Sequence, residues 1–304
     1  MYRKAKEMKA RAPASRSTQA AAAVPKTRGG SAITVGIAVE PTRTAVESLA
    51  SQDRTSDDLF RSDDRRAAET LVRHLFASEG HHINGLQYAV SFRLAEGRTG
   101  GDIADVYHFD NGSVALSIAD VSGKGAQAAV HAALIKFGLR CFASEGLSAE
   151  RTLRSLDRVF LENNAFERTE QFASVFFGLL DDTRRSLTYA SAGHEPVVLI
   201  NPGAEPRVLP PTAPLVGVFD DQHHLFRQRQ VRVEAGSLLI ATTDGITEAR
   251  SADGEMFGIE RLVAICAKNV DLSVTEQLQA ILAAVDAFAP TIHDDIAAFA
   301  IRIL

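Results

Sequence analysis

The chain has 304 residues, 45% of them hydrophobic and 23% charged, enough apolar material for one substantial core and too much for a wholly disordered protein. The formal net charge of −5 hides a division. Residues 1–30 carry eight basic side chains (Arg3, Lys4, Lys6, Lys9, Arg11, Arg16, Lys26, Arg28) against Glu7 alone, a net +7. That leaves −12 for the rest, which argues against a nucleic-acid-binding core.

Residues 1–56 are rich in Ala, Ser, Thr and Arg and are interrupted by Pro13, Pro25 and Pro41, so they read as a disordered basic segment, a solvated end rather than a nucleic-acid or lipid contact. The apolar stretch from Gln19 to Val24 is far too short to span a bilayer and lacks the context of a secretory signal. The Arg-rich, acid-poor beginning has the composition of a transit peptide but nothing else of one, so the expected compartment is cytoplasmic. In residues 57–80 the positions Leu59, Phe60, Leu71, Val72, Leu75 and Phe76 are spaced for a helix, either a linker packed on the domain or a dimerisation or switch helix pairing two copies as a homodimer. Cys141 and Cys266 have apolar helical surroundings and no C-x-x-C partner, which predicts two buried thiols in a reducing compartment.

From residue 81 onward a folded domain is expected, running to residue 304. Strands are predicted at 86–94, 106–109 and 113–118, the last two joined by a tight hairpin at Asn111-Gly112. Helices follow over 126–142 and, N-capped by Ser148, to about residue 163. Strands at 172–180, 186–191 and 197–200 come next, then a loop over 202–219, strands at 230–233 and 237–242, helices at 259–267 and 274–288, and a last strand at 296–303. Strands, a helix pair, strands again and a second helix pair predict two packed antiparallel sheets with helices outside.

Four aspartate-bearing segments punctuate this order: Gly100-Gly101-Asp102, Asp120-Val121-Ser122-Gly123-Lys124-Gly125, Thr243-Asp244-Gly245 and His293-Asp294-Asp295. Each opens or follows a strand, so a folded sheet can collect the carboxylates at one edge. Collected acids repel unless a cation neutralises them, and an all-oxygen set suits magnesium, manganese or calcium better than zinc. Two such ions activate a water for in-line attack on phosphorus. Any one segment alone reads equally as turn chemistry; their joint occurrence points to metal.

Other candidates carry less. Ser122-Gly123-Lys124-Gly125 is no phosphate loop, since Ile118 stands where that loop needs Gly and Gly125 where it needs Ser or Thr. Ser122 is not flanked as an elbow nucleophile. His194 sits in a strand-to-strand turn, as a metal ligand, a proton donor or a structural histidine; His81-His82 and His223-His224 have no partner at ligand spacing.

In order and spacing, Gly-Gly-Asp, Asp-Val-Ser-Gly-Lys-Gly, Ala-Gly-His-x-Pro, Thr-Asp-Gly-Ile-Thr-Glu-Ala, Met-Phe-Gly and Asp-Asp-Ile resemble the metal-dependent protein phosphatase (2C) superfamily, and more narrowly its bacterial SpoIIE/RsbU-type serine phosphatases. The resemblance covers residues 83–304. It implies an α+β fold, a four-layer α-β-β-α sandwich of two antiparallel sheets flanked by helices, with two Mn2+ or Mg2+ ions at one edge that hydrolyse phosphoserine or phosphothreonine on a protein. By motif position Asp120 bridges both metals and the Val121 carbonyl binds one. Asp244 and Asp294 complete the other shell, with Asp102 holding bound waters and Asp295 an alternative to Asp294. Asp120 and Asp244 are the residues on which catalysis would rest.

Three positions depart from the pattern: Ala104 replaces an aromatic, Ala297 replaces Thr, and the loop after Asp120 lacks the histidine of eukaryotic relatives. The expected partner is a phosphorylated signalling protein such as an anti-sigma-factor antagonist, with no nucleic acid and no membrane span. The alternatives are a catalytically silent binding module in a partner-switching pathway, against which the retained acids argue, and a hydrolase of small phosphoesters.

Overall fold

The computed structural model describes residues 82–83, 85–93, 101–123, 125–219 and 223–304. The expectations for residues 1–56 and 57–80 lie outside the described residues. Among the described residues, eleven strands form two antiparallel sheets. The first sheet has the order β1 (His82–Ile83), β2 (Leu86–Arg93), β11 (Ile296–Ile303), β10 (Leu238–Thr242), β7 (Val197–Ile200) and β8 (Arg207–Leu209). The second has β3 (Ile103–His108), β4 (Val114–Val121), β5 (Ala173–Leu180), β6 (Ser186–Ala192) and β9 (Arg229–Arg232). Helices α1 (Ala126–Ser144) and α2 (Ala149–Glu167) cover the second sheet; α4 (Gly258–Lys268) and α5 (Val274–Phe288) cover the first. A single turn, α3 (Asp244–Thr247), follows β10.

Four layers need three apolar seams, and strand alternation supplies them. Along β4, Ala115, Ala119 and Val121 face α1 and α2, whereas Val114, Leu116 and Ile118 face the other sheet. Along β11, Ile296, Ala298 and Ala300 pack under α4 and α5, and Ala297, Phe299 and Ile301 enter the seam between the sheets. Buried on both faces, these strands read as continuous apolar runs. Ala104 and Ala297 both lie buried in the middle seam between the sheets.

Local signals set the helix starts. Ser148 caps α2 by accepting from the Arg151 amide, and Ser273 forms a reciprocal capping box with Glu276 at α5. The hairpin at Asn111-Gly112 is not a two-residue turn, because only Gly112 has positive φ (84°). The loop spans Asp110 to Gly112, closed by the Phe109 amide donating to the Ser113 carbonyl at 2.9 Å, with Asn111 Oδ1 accepting from the Ser113 amide.

Three expectations are corrected. Cys141 is exposed while Cys266 is buried; α1 is apolar on its outer face too, where Val130 and Phe137 are also exposed, so apolar neighbours did not mark an inward side. The loop over 202–219 contains β8, a three-residue edge strand. Strand β3 starts three residues earlier than expected, because Asp105 is fully buried within it, held by Arg140 Nε and Nη2 at 2.7 Å each and by Lys136 Nζ at 3.4 Å, all from α1.

Candidate metal and phosphate site

Antiparallel pairing does the first half of the assembly. Ile103 faces Ala119 across β3 and β4, so Asp102, just before β3, stands beside Asp120, near the end of β4. Thr242 faces Ala298 across β10 and β11, so Asp244, just past β10, meets Asp294 and Asp295, just before β11. The two pairs belong to different sheets, whose ends share one edge.

Electrostatics shows that they share one site. Burial first, then the charge of Asp120, holds the Asp102 carboxyl well above its ordinary range; Asp244 and Asp295 push the same way, and a hydrogen bond from Thr243 opposes them. Asp244 is pushed up to about 8 by burial, followed by Asp120, Asp294, Glu248 and Glu195. Acids from both sheets therefore feel one another. The structure brings all four predicted carboxylates together, with Asp102 and Asp120 buried, Asp244 half-buried and Asp294 exposed.

Close backbone approaches fix this arrangement. A Cβ on Gly101 would lie 2.8 Å from the Val121 carbonyl oxygen, and one on Gly245 only 2.0 Å from the Asp295 carbonyl. The first glycine leaves the Val121 carbonyl uncovered; the second lets α3 sit directly on the start of β11. Thr243 clamps the same junction, its hydroxyl accepting from the Ala297 amide at 2.9 Å while its own amide donates to the Ala297 carbonyl. After Val121 the chain turns through Gly123 and Gly125, both at positive φ (91° and 80°).

The donor set fits divalent cations. Asp102 Oδ2 is buried without a hydrogen-bond partner, a costly condition that a cation or its water would relieve, and the Val121 carbonyl adds a neutral hard ligand. Among the described residues no three His, Cys, Asp or Glu side chains close into a ready cage. Magnesium-like ions are held by one or two carboxylates and keep several waters, so they require none. Beside the acids, Asp244, Glu248, Arg250, His293 and Asp294 line a cavity of about 160 Å³.

Glu195 and Glu248 were not among the expected ligands, and Asp295 was expected only as the alternative to Asp294. Asp295 is buried and faces Asp102 electrostatically, while Asp294 Oδ1 accepts from the Asp295 amide at 3.0 Å. Glu248 follows Asp244 by four residues, a spacing legible only once the Asp-Gly turn is known to be helical. Glu195 accepts from Thr247 at 3.1 Å and is raised by burial; no local pattern announced it. His194 is buried, its Nδ1 2.9 Å from Ser174 Oγ, and burial lowers it to about 3. It stays neutral at physiological pH and packs as a structural histidine. Ser122 is no nucleophile either, since its hydroxyl donates to Gln171 Oε1 and accepts from the Phe172 amide. Among the described residues no helix is long and apolar enough to cross a membrane.

A four-layer α-β-β-α sandwich with acids gathered at the shared edge of its sheets defines the protein phosphatase 2C class of folds. Within that class, residues 110–304 match the family model for Stage II sporulation protein E (SpoIIE), and the chain belongs to that family. It is 30% identical over 153 residues to the phosphoserine phosphatase RsbU of Bacillus subtilis, covering 49% of this chain and 44% of that one. The chain spans between 30% and 44% of the length of the curated relatives it matches. Its fold is that of the SiaA-PP2C domain of Pseudomonas aeruginosa (TM-score 0.68, 18% identity, covering 83% of this chain and 100% of that one). It is also that of RsbX in complex with magnesium (TM-score 0.57, 18% identity, covering 74% and 99%).

Proposed function

We propose that residues 81–304 form a metal-dependent serine/threonine protein phosphatase acting on a phosphorylated signalling protein, such as an anti-sigma-factor antagonist. The observation that carries this reading is the convergence of Asp102, Asp120, Asp244 and Asp294 from two sheets, with a buried, unpartnered oxygen on Asp102. Family membership and the relative named a phosphoserine phosphatase support it.

Asp102, Asp120, the Val121 carbonyl, Asp244 and Asp294 would hold two manganese or magnesium ions. Bound there, such ions supply Lewis acidity toward phosphoryl oxygens and activate water. Asp120 stands between the Asp102 side and the Asp244 side, raising both, which suits it to serve both ions. Asp294 is preferred to Asp295 as ligand because it acts on Asp244 from an exposed position, whereas Asp295 is buried. The chain's own contribution is to fix acids of both sheets on one edge, through Thr243 and the two close glycines, and to leave that edge open to a protein-borne phosphate. His194, neutral and buried, donates no proton to the leaving serine.

The test is hydrolysis of para-nitrophenyl phosphate, and of a phosphorylated anti-sigma-factor antagonist, with manganese, with chelator and with Asp120→Asn. Manganese-dependent turnover lost in the variant is the expected result. Equal activity in wild type and Asp120→Asn would remove the assignment, and turnover of the small ester without the phosphoprotein would favour a small-phosphoester hydrolase.

A further inference from the structure

The peptide joining Val121 to Ser122 carries the one backbone carbonyl assigned to the metal site, and its orientation is set from outside that site. A trans peptide points its N–H and C=O in opposite directions, so whatever holds the Ser122 amide aims the Val121 carbonyl. The Ser122 amide donates to the Phe172 carbonyl at 2.8 Å, extending the β4–β5 ladder by one residue beyond the Val121–Ala173 pair. The Val121 carbonyl is thereby turned the other way, against Gly101 and beside Asp102.

The Ser122 side chain locks this plane. Its hydroxyl accepts from the Phe172 amide at 2.9 Å and donates to Gln171 Oε1 at 3.0 Å. Gln171 is anchored in turn by α2, because Asn164 Nδ2 donates to the Gln171 carbonyl at 2.7 Å and Thr169 Oγ1 donates to Asn164 Oδ1 at 2.8 Å. A Cβ on Gly123 would meet Gln171 Oε1 at 3.3 Å, so the glutamine also forms the wall against which the turn is folded.

We propose that Gln171 and Ser122 are positioning residues for the metal site: the chain Asn164, Gln171, Ser122 fixes the plane of the Val121 peptide and with it the carbonyl ligand. This rests on the metal reading above. Neither side chain touches an ion; both act by aiming a group that does. Partners of this kind typically change metal affinity by about 10–100-fold when removed.

The experiment is manganese titration of the full chain by calorimetry, with circular dichroism and thermal melts in chelator alongside. Ser122→Ala and Gln171→Met are compared with Ser122→Thr, which keeps the hydroxyl, and with Asp157→Asn. The last disturbs another α2 anchor, the 2.8 Å bond to Asp157 Oδ1 from the amide of Gly217, which packs against the Gln171 backbone, and leaves the Gln171–Ser122 side-chain bond in place. Ser122→Ala and Gln171→Met should each weaken manganese binding by about tenfold or more. Ser122→Thr should bind near wild type, and Asp157→Asn should lower the melting temperature without changing affinity. Wild-type affinity in folded Gln171→Met overturns the proposal, as does an equal loss in Asp157→Asn. If Ser122→Ala fails to fold, Gln171→Met decides alone, since the backbone bonds of residues 122 and 172 remain in it. Wild type that binds no manganese overturns the metal reading itself, an outcome distinct from tight binding that ignores Gln171.

Discussion

The two ends of the second sheet use aspartate in opposite ways. At the β5–β6 hairpin, Asp181 accepts from the Arg185 and Ser186 amides and from the Thr183 hydroxyl, and these bonds outweigh burial and hold its carboxyl below the ordinary value of 3.8. At the other end Asp102 keeps an oxygen with no partner and is raised, first by burial and then by Asp120. Between them Asp105 is fully buried, yet it is answered by Arg140 and Lys136. A satisfied aspartate holds the fold; an aspartate held against its preference is being kept for something else.

The largest test of that contrast is Asp105→Ala. Removing the carboxylate that Arg140 and Lys136 share should cost about 3–5 kcal/mol in urea denaturation. A neutral result would mean that α1 does not need this contact and would break the contrast. Next is Gly245→Ala, whose Cβ would fall 2.0 Å from the Asp295 carbonyl oxygen, far inside van der Waals contact. Neither backbone can yield without separating α3 from β11, so a loss of about 3 kcal/mol is expected in thermal melts. Gly254→Ala is the contrast, with a positive φ (83°) that Gly245 lacks but open space around it, and an expected cost of about 1 kcal/mol from the backbone alone.

The pH dependence at His194 sharpens the comparison from another side. Its folded pKa, about 3, lies below the ordinary 6.5, so below pH 6.5 the unfolded chain binds a proton that the folded one refuses. Stability should therefore fall as pH drops from 6.5 toward 3, by about 1.4 kcal/mol per unit. Urea midpoints at several pH values should show this component lost in His194→Asn; an unchanged slope would mean that the ring accepts a proton in place. The smallest effect is expected at Asp181. Asp181→Ala should cost about 1 kcal/mol at neutral pH, from its lost hydrogen bonds. Because its folded pKa is lowered, that contribution exists above 3.8 and disappears as pH falls through the lower folded value, so wild type and variant should converge in acid.

Much of this was legible in the sequence, and the failures share a cause. Strands β7 and β11 and helix α5 fall where periodicity puts them, because each is bounded by turn or capping residues and buried through its own apolar side chains. Strand β3 was misread because Asp105 breaks its pattern, and only the cations of α1, over thirty residues away, make a buried aspartate acceptable there. Cys141 was misplaced for the converse reason: α1 is apolar around most of its circumference, so periodicity gave no inside. At the site the four aspartate segments could be picked out, since each marks a strand end. Glu195 could not, for it enters through a loop between β6 and β7, and only the sheet pairing brings it near Asp244.

The strand order has a consequence for synthesis. The second sheet is complete by β9, with only β7 and β8 of the first sheet lying between its strands, whereas the first has at its centre β11, the last strand of the described residues, zipped between β2 and β10. As the chain leaves the ribosome, β2 has only the two-residue β1 beside it until a neighbour made some two hundred residues later arrives, and Asp244 must wait for Asp294. Until that strand arrives the nascent protein has Asp102 beside Asp120 but Asp244 without Asp294, so the full set of acids is gathered only as the fold closes.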